Sequence, residues 1–279
     1  MKVNKQLRSD YGDFLTSDSP QNHMRGDYSV PKILIKEITK IYPGKEHDFV
    51  AIKQVSLLVS PNEFVSIVGP SGCGKSTLLK MIAGLEESTE GKIWVNSKEV
   101  MGPGADRGMV FQSYTLFPWL TVADNIIFGL KLKGNNNAEC KKIVAKYLDL
   151  IKLTEFGHRY PKELSGGMKQ RVAIARALAN NPSVLLMDEP FGALDPQTKA
   201  DMQELLLDIW RKEKTTIIFI THDIEEAIFL SQRVYVMQKA PGRIIEMFDI
   251  TLPAERTSEI KDAEHFISIK RQIISLLKN

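Results

Sequence analysis

The segment "GPSGCGKST", residues 69–77, limits the fold of this chain more than any other stretch. It fits the pattern G-x-x-x-x-G-K-[ST], and it lies between the apolar run "FVSIV" and a helix-like stretch that starts at Lys75. A glycine-rich turn between a strand and a helix lets backbone N–H groups surround a phosphate without clashes from Cβ atoms. The pattern therefore predicts a phosphate-binding loop in an α/β domain, although it does not distinguish a kinase, a GTPase and an ATPase.

This loop already assigns chemical roles to single residues. In such loops the lysine reaches the β- and γ-phosphates, and the following hydroxyl ligates Mg²⁺. These roles fall to Lys75 and Ser76. The candidate nucleotide contacts are all the residues of the loop, namely Gly69, Pro70, Ser71, Gly72, Cys73, Gly74, Lys75, Ser76 and Thr77.

Short apolar runs alternate with helical stretches downstream of the loop. The runs 183–188 and 215–221 are typical of buried strands, and the stretch 196–212 between them has a helical pattern. Strands that alternate with helices indicate a mostly parallel sheet with crossover connections. The chain is therefore predicted to be an α/β protein built around such a sheet.

Composition excludes several classes of protein. The 37 basic and 34 acidic residues nearly balance, so charge gives no strong case for nucleic-acid binding. The two cysteines, Cys73 and Cys140, do not suggest a disulfide framework and favour a reducing cytosol. No apolar run approaches the roughly 18 residues that span a bilayer, and the first residues lack the apolar core of a secretory signal. We expect a soluble chain whose membrane role would go through a partner.

Four further polar residues follow predicted strands. Asp188 ends the run 183–188 and is placed to hold Mg²⁺ directly or through water, and Glu189 can polarise an attacking water. His222 follows the run 215–221, on the edge where parallel sheets bind ligands, and is predicted to contact a γ-phosphate. Gln112 ends the run "GMVFQ" and is a candidate contact for Mg²⁺ or for the water.

A second glycine pair occurs in "LSGG", residues 164–167, at the start of another predicted helix. The order of the phosphate-binding loop, "VFQ" (110–112), "LSGG", "LLMDEP" (185–190), "ALD" (193–195) and "THD" (221–223) resembles the ATPase subunits of ABC transporters. The resemblance covers roughly residues 32–240. It implies a P-loop NTPase core with a mostly parallel sheet, an antiparallel β subdomain at the N-terminal side and a helical subdomain that carries "LSGG".

The resemblance also implies why one chain has two phosphate cradles. In that family two subunits meet head to tail and enclose two ATP molecules, so Ser165, Gly166 and Gly167 would contact the γ-phosphate of ATP held by the second copy. Asp195 would lie across the dimer seam near the opposing loop. Tyr42 matches the aromatic residue that stacks on adenine.

The same resemblance suggests a division of the chain. Residues 1–30 are polar and are predicted to be a poorly ordered tail. Residues 31–250 would form the ATPase domain, with the helical subdomain at about 113–168. Residues 251–279 would be a C-terminal helical extension.

Two segments resemble a subgroup, the ATPases of nitrate, sulfonate, taurine and bicarbonate importers. They are "LFPWLTVADNI" (116–126) and "KAPGRIIEMFDITLP" (239–253). The resemblance implies a peripheral subunit on the cytoplasmic face of the membrane that hydrolyses ATP to energise import of a small anion or a sulfonate-like solute. Its partners would be a second copy, transmembrane permease subunits with a short helix docked beside the loop after Gln112, and indirectly an extracytoplasmic solute-binding protein.

An ABC-type ATPase that drives an exporter or a non-import envelope process stays open as an alternative. DNA-repair and chromosome-organising ATPases share the same motifs but insert long coiled coils between them. The stretch between Lys75 and Ser165 is too short for such an insertion and has no sustained heptads.

Overall fold

The computed structural model describes residues 30–253 and 255–278. In chain order the strands are β1 (Ile33–Tyr42), β2 (Phe49–Val59), β3 (Phe64–Val68), β4 (Glu90–Val95), β5 (Lys98–Glu99), β6 (Arg107–Val110), β7 (Val184–Asp188), β8 (Thr216–Thr221), β9 (Arg233–Gln238) and β10 (Arg243–Asp249). The α-helices are α1 (Lys75–Ala83), α2 (Val122–Leu132), α3 (Asn137–Leu150), α4 (Gly166–Ala179), α5 (Pro196–Glu213), α6 (Ile224–Leu230) and α7 (Glu264–Lys278). Short 3₁₀ turns lie at Thr154–Phe156, Pro161–Glu163 and Ser258–Asp262.

The chain divides into two compact units. Unit one comprises the residues up to Gly104 and from Thr216 onward, and unit two comprises Ala105–Thr215. In unit one, β1 pairs antiparallel with β2 and β4, and β4 pairs with β5. In the same unit, β3 pairs in parallel with β8 and β9, and β10 is antiparallel to β9. The predicted α/β class, with parallel core strands and an antiparallel sheet nearest the N-terminus, is confirmed.

Buried strands form the centre of unit one. β3 and β8 are buried along their whole length, which explains why both read as continuous apolar runs without alternation. α1 packs on β8 and α6 packs on β3. The polar exception in β3 is Ser66, whose hydroxyl forms a hydrogen bond with that of Ser231. The carboxyl ends of β3 and β8 are therefore held by a packed core.

The C-terminal extension forms an amphipathic helix. Phe266, Ile269 and Ile273 on α7 are buried, and α7 packs on α6 and β9. Their spacing of three and four residues places them on one face of the helix. The apolar pattern of the last segment is thus accounted for by packing within unit one.

Unit two combines a parallel strand pair with a group of helices. β6 pairs with β7, and α4 packs on β6. α2 packs on α3 and α4, and α4 also packs on α5. These helices include the one that "LSGG" opens, as the family resemblance implies.

Two expectations concern the ends of the chain and the membrane. The tail predicted for residues 1–30 lies outside the described residues, apart from Val30. In the part of the chain that the structure describes, no helix has both the length and the apolar character needed to cross a bilayer.

A buried amide holds the loop that precedes α2. Asn125 is fully buried, and its Nδ2 donates to the carbonyl oxygens of Phe117 at 3.1 Å, Leu120 at 3.1 Å and Thr121 at 2.9 Å. Its Oδ1 accepts from the Phe117 N–H at 2.9 Å. One side chain thus satisfies backbone groups at both ends of the loop.

We expect Asn125→Ala to lower the free energy of unfolding by about 2–4 kcal/mol, because truncation leaves loop backbone groups without partners. Urea unfolding followed by circular dichroism measures the change. Asn137→Ala is the matched control, since Asn137 is exposed at the start of α3, and it should shift stability by less than about 0.5 kcal/mol. Equal stability of the two variants would show that other contacts hold the loop.

Candidate functional site

The phosphate-binding loop joins the end of β3 to the start of α1 in unit one. Gly74 is the N-cap of α1 and adopts a φ of +96°, in a region that L side chains rarely enter. Gly69 lies so close to β9 that a Cβ on it would be 2.2 Å from the Met237 carbonyl oxygen. The two glycines are therefore required for different reasons, and the loop ends at a helix N-terminus, which favours an anion.

Lys75 is the first residue of α1 and is only 4% exposed. Its Nζ donates to the carbonyl oxygens of Gly69 at 2.8 Å and Pro70 at 3.1 Å. Both carbonyls belong to the loop, so the ammonium lies within the backbone that would surround a phosphate. The structure thus places its charge inside the loop.

β2 and the turn between β9 and β10 pack behind the loop. The Gly242 N–H donates to the Ala51 carbonyl at 3.0 Å, and the Lys53 N–H donates to the Gly242 carbonyl at 2.9 Å. A Cβ on Gly242 would lie 2.1 Å from the Cys73 carbonyl oxygen, so the turn contacts the loop directly. Burial raises the pKa of the Cys73 thiol, although the nearby Lys75 acts in the opposite direction. The thiol therefore stays neutral.

Tyr42 ends β1 beside the loop. Its hydroxyl donates to Glu86, and the Lys40 ammonium lies 3.2 Å from the same carboxylate and 5.0 Å from the centre of the Tyr42 ring. Burial and the bond to Glu86 raise the pKa of Tyr42, whereas a hydrogen bond with Thr77 lowers it. Burial would raise the pKa of Glu86, but its bonds from Tyr42 and Lys40 outweigh that effect and lower it. An ionised Glu86 thus fixes the Tyr42 hydroxyl.

The register of two parallel strands brings His222 to the edge where the loop begins. Val68 of β3 pairs with Thr221 of β8, so Gly69 and His222 are the next residues on neighbouring strands. His222 is exposed. The structure therefore brings His222 together with the loop within unit one.

Register has the same effect in unit two. Val110 of β6 pairs with Met187 of β7, so Gln112 and Glu189 each lie two residues beyond a paired position. A Cβ on Gly192 would lie 3.8 Å from the Gln112 Nε2 and 4.0 Å from the Glu189 Oε2. The predicted amide and carboxylate therefore converge.

Asp188 is the last residue of β7, and Glu189 follows it with a φ of +41°. A non-glycine residue with positive φ is uncommon, and such backbone strain often occurs at functional sites. The Glu189 carbonyl accepts from the Gly192 N–H at 3.2 Å, and both acidic residues are half-buried. The turn after β7 thus holds Glu189 in one backbone conformation.

The signature segment, residues 165–167, opens α4. Ser165 is the N-cap, and its hydroxyl accepts from the Met168 N–H at 3.3 Å. A Cβ on Gly166 would lie 2.9 Å from the Tyr114 hydroxyl. The first turn of α4 has no acidic side chain, so the helix N-terminus keeps its positive potential. This segment has the features of a second anion site.

Asp195 lies beside the signature segment. It is the N-cap of α5 and accepts from the Thr198 N–H at 3.0 Å, a contact that lowers its pKa. A Cβ on Gly167 would lie 2.5 Å from the Thr198 methyl, and one on Gly166 would lie 3.7 Å from Leu194. The structure therefore brings the signature segment and Asp195 together within unit two.

Several residues contact the predicted site but were not predicted from the sequence, and three of them show why. Glu86 accepts a hydrogen bond from Tyr42. Tyr114 lies close to Gly166, and Thr198 lies close to Gly167. The first two contacts join separate elements and leave no local pattern. Thr198 follows Asp195 by three residues, the spacing of an N-cap, and this is the signal that could have identified it.

Comparison with known proteins agrees with this geometry. Residues 52–192 match the model of the ABC transporter family. The nitrate import ATP-binding protein NrtD of Synechocystis is 52% identical over 250 residues, which cover 88% of this chain and 94% of that protein. An aliphatic sulfonates import ATP-binding protein, SsuB, of Bacillus cereus is 44% identical over 242 residues, which cover 87% and 94%.

Solved structures give the same result. A dimeric bacterial ABC transporter cassette, MJ0796, superimposes with a TM-score of 0.70 at 35% identity, covering 79% of this chain and all of that one. A post-hydrolysis state of this cassette bound to ADP and Pi gives a TM-score of 0.69 at 33% identity, with the same coverage. This chain therefore belongs to the ABC transporter family, as a subunit that binds and hydrolyses ATP.

Proposed function

We propose that two copies of this chain bind and hydrolyse ATP at shared sites and thereby energise import of a small anion. The observation that carries the proposal is the presence of two cradles for phosphate. One is the loop with Lys75, and the other is the signature segment, which has Asp195 beside it and no lysine. A cradle without its own lysine is suited to the ATP that another copy already holds.

The loop of one copy would hold most of the ATP molecule. Lys75 contacts the β- and γ-phosphates, and the N-terminus of α1 adds positive potential. Tyr42 stacks on adenine. Because Lys40 lies over the Tyr42 ring, adenine would use the opposite face of that ring.

Glu189 would act as the general base for the attacking water. The Gln112 amide converges on the same place and would orient that water or contact the metal. His222 would contact the γ-phosphate, since it follows β8 at the edge where the loop begins.

Ser76, Gln112 and Asp188 are the residues that would hold Mg²⁺. Hydroxyl, amide and carboxylate oxygens are its preferred ligands. Bound Mg²⁺ would neutralise charge on the phosphates.

The names of the relatives support an importer. Nitrate and aliphatic sulfonates are small anions with several oxygen atoms, and relatives named for their import share 44–52% of residues with this chain. We infer that the chain works with transmembrane permease subunits, on the cytoplasmic face of the membrane, and that a solute-binding protein delivers the anion outside.

A groove in unit two supports the inference that a permease subunit docks on this unit. It has a volume of about 590 Å³, and its lining includes Phe117, Leu132 and Arg176. Arg176 lies 5.6 Å from the centre of the Phe117 ring and donates to Thr115, which fixes the loop after Gln112.

Exposed apolar side chains accompany this groove. Leu132 is 75% exposed, and Trp119, whose ring packs 5.6 Å from that of Phe117, is 70% exposed. Large exposed apolar residues beside a cationic groove suit a short amphipathic helix that carries an acidic residue. We infer that a permease helix docks here.

If Glu189 is the general base, Glu189→Gln should keep ATP binding and lower hydrolysis by about 100-fold or more, because the amide cannot accept the proton. A phosphate-release assay and a nucleotide titration measure the two effects. Glu155→Gln, at an exposed glutamate of unit two, should leave both unchanged. Near-normal turnover in Glu189→Gln would exclude the role.

The shared site can be tested with mixed dimers of Lys75→Ala and Ser165→Asp. Aspartate at 165 still caps α4 but places a carboxylate where the partner's γ-phosphate would bind. Each homodimer should be inactive, because both of its sites carry a lesion. A mixed dimer has one intact site, so an equimolar mixture should recover ATPase activity, at most about half per mixed dimer if the sites are independent.

Ser165→Asn is the matched control, because it caps the helix without adding charge, and its homodimer should keep more activity than that of Ser165→Asp. ATP-dependent dimerisation of the mixture, measured by size-exclusion chromatography, covers the case in which the two sites are strongly coupled. A mixture that neither recovers activity nor dimerises, with both variants folded, would contradict the shared site.

Docking at the groove predicts that Trp119→Ala separates ATPase activity from assembly. The isolated subunit should hydrolyse ATP within twofold of the wild-type rate, whereas recovery of the permease from detergent-solubilised membranes should fall about tenfold. Phe49→Ala removes another exposed aromatic, in unit one, and should recover the permease normally. Normal recovery with Trp119→Ala would place the docking surface elsewhere.

A further inference from the structure

The segment after residue 255 binds both ends of α6, the helix that follows His222. Its main contact is Arg256, which is only 7% exposed. The Arg256 Nη1 donates to the carbonyl oxygens of Phe229 at 2.7 Å, Ser231 at 2.9 Å and Ile228 at 3.4 Å. The Arg256 Nε donates to the Pro253 carbonyl at 2.9 Å.

These bonds fall at the C-terminal end of α6. The last carbonyls of a helix lack donors within the helix, and the negative end of its dipole attracts a cation. Arginine is seldom buried unless its donors are satisfied, and here backbone carbonyls satisfy them. Arg256 therefore makes a buried, hydrogen-bonded contact, and this contact ties the C-terminal extension to α6.

Two more contacts join the extension to the same helix. Lys270 on α7 forms an ion pair with Glu225 in the first turn of α6. The Lys261 ammonium lies 4.7 Å from the centre of the Phe229 ring, near the end of α6. The extension thus holds α6 at both ends.

The start of α6 is in turn tied to the residues around His222. The Thr221 hydroxyl bonds to Glu226 and accepts from the Asp223 N–H at 3.0 Å. The Asp223 carboxylate accepts from the N–H groups of Glu225 at 3.0 Å and Glu226 at 3.2 Å. His222 therefore lies between two residues that are both bonded to the first turn of α6.

We propose that Arg256 is a positioning residue for ATP hydrolysis, because it fixes α6 and through α6 fixes His222. The helix has only 7 residues, so a displacement of its C-terminal end also displaces its first turn. The proposal rests on the role of His222 in the proposed function. A displacement of about 1 Å in a catalytic group is enough to slow a reaction strongly.

Arg256→Met tests this proposal, since methionine keeps most of the stem volume and removes every donor. We expect kcat to fall about tenfold while the KM for ATP changes less than twofold. Arg256→Lys, which restores a cation, should recover part of the loss. Arg271→Ala is the matched control, because Arg271 is exposed on α7, and it should have wild-type kinetics.

Hydrogen exchange read by mass spectrometry adds a structural measurement. Residues 224–231 should exchange faster in Arg256→Met, whereas the α1 peptide should not change. A folded Arg256→Met with wild-type kcat, assayed well below its melting temperature, would overturn the proposal, and so would an equal loss in Arg271→Ala. If Arg256→Met does not fold, Arg256→Gln replaces it under the same criterion.

His222→Ala separates this proposal from the one on which it rests. Full hydrolysis by His222→Ala would overturn the assigned role of His222 itself. Slow hydrolysis by His222→Ala together with wild-type kcat in Arg256→Met would overturn only the role of Arg256. If His222 and Arg256 both have their proposed roles, the double variant should be no slower than His222→Ala, because the two changes remove the same contribution to hydrolysis.

Discussion

The parallel pairing of β3 with β8 is the constraint on which the site in unit one depends. Both strands are mostly apolar and are buried along their whole length, so burial fixes which residues lie in the sheet. Val68 and Thr221 are then paired, and the chain leaves both strands at one edge. The loop and His222 meet there because of this register, before any polar contact is considered.

A comparable pairing of β6 with β7 acts in unit two. It sets Gln112 and Glu189 two residues beyond the paired Val110 and Met187, and their side chains converge near Gly192. In both units, buried strands thus position the polar residues that follow them.

Much of this was predictable, because the relevant signals are local. The loop 69–77 has its own strand and helix on either side, so its fold depends on neighbours in sequence. Asp188 and Glu189 were placed by the apolar run before them, and the family order of motifs identified the signature segment. The roles of these residues remain predictions, since they depend on a bound nucleotide.

The parts that were not predicted depend on partners distant in sequence. Arg256 lies in a polar stretch and reads as a solvated charge, because backbone carbonyls from α6 leave no trace in the sequence around it. β10 is half-buried over most of its length, and its apolar and polar residues do not alternate regularly. The sequence "RIIEMFD" therefore does not predict a strand. The Tyr42–Glu86 bond joins β1 to the segment after α1 and is visible only in the folded chain.

The position of Lys75 has a consequence for the thermodynamics of the cycle. Its ammonium has two carbonyl partners in the loop, so a phosphate would compete with these carbonyls for the same N–H donors. The enthalpy of phosphate binding at Lys75 would then be a difference between two sets of hydrogen bonds, smaller than a count of phosphate contacts would suggest.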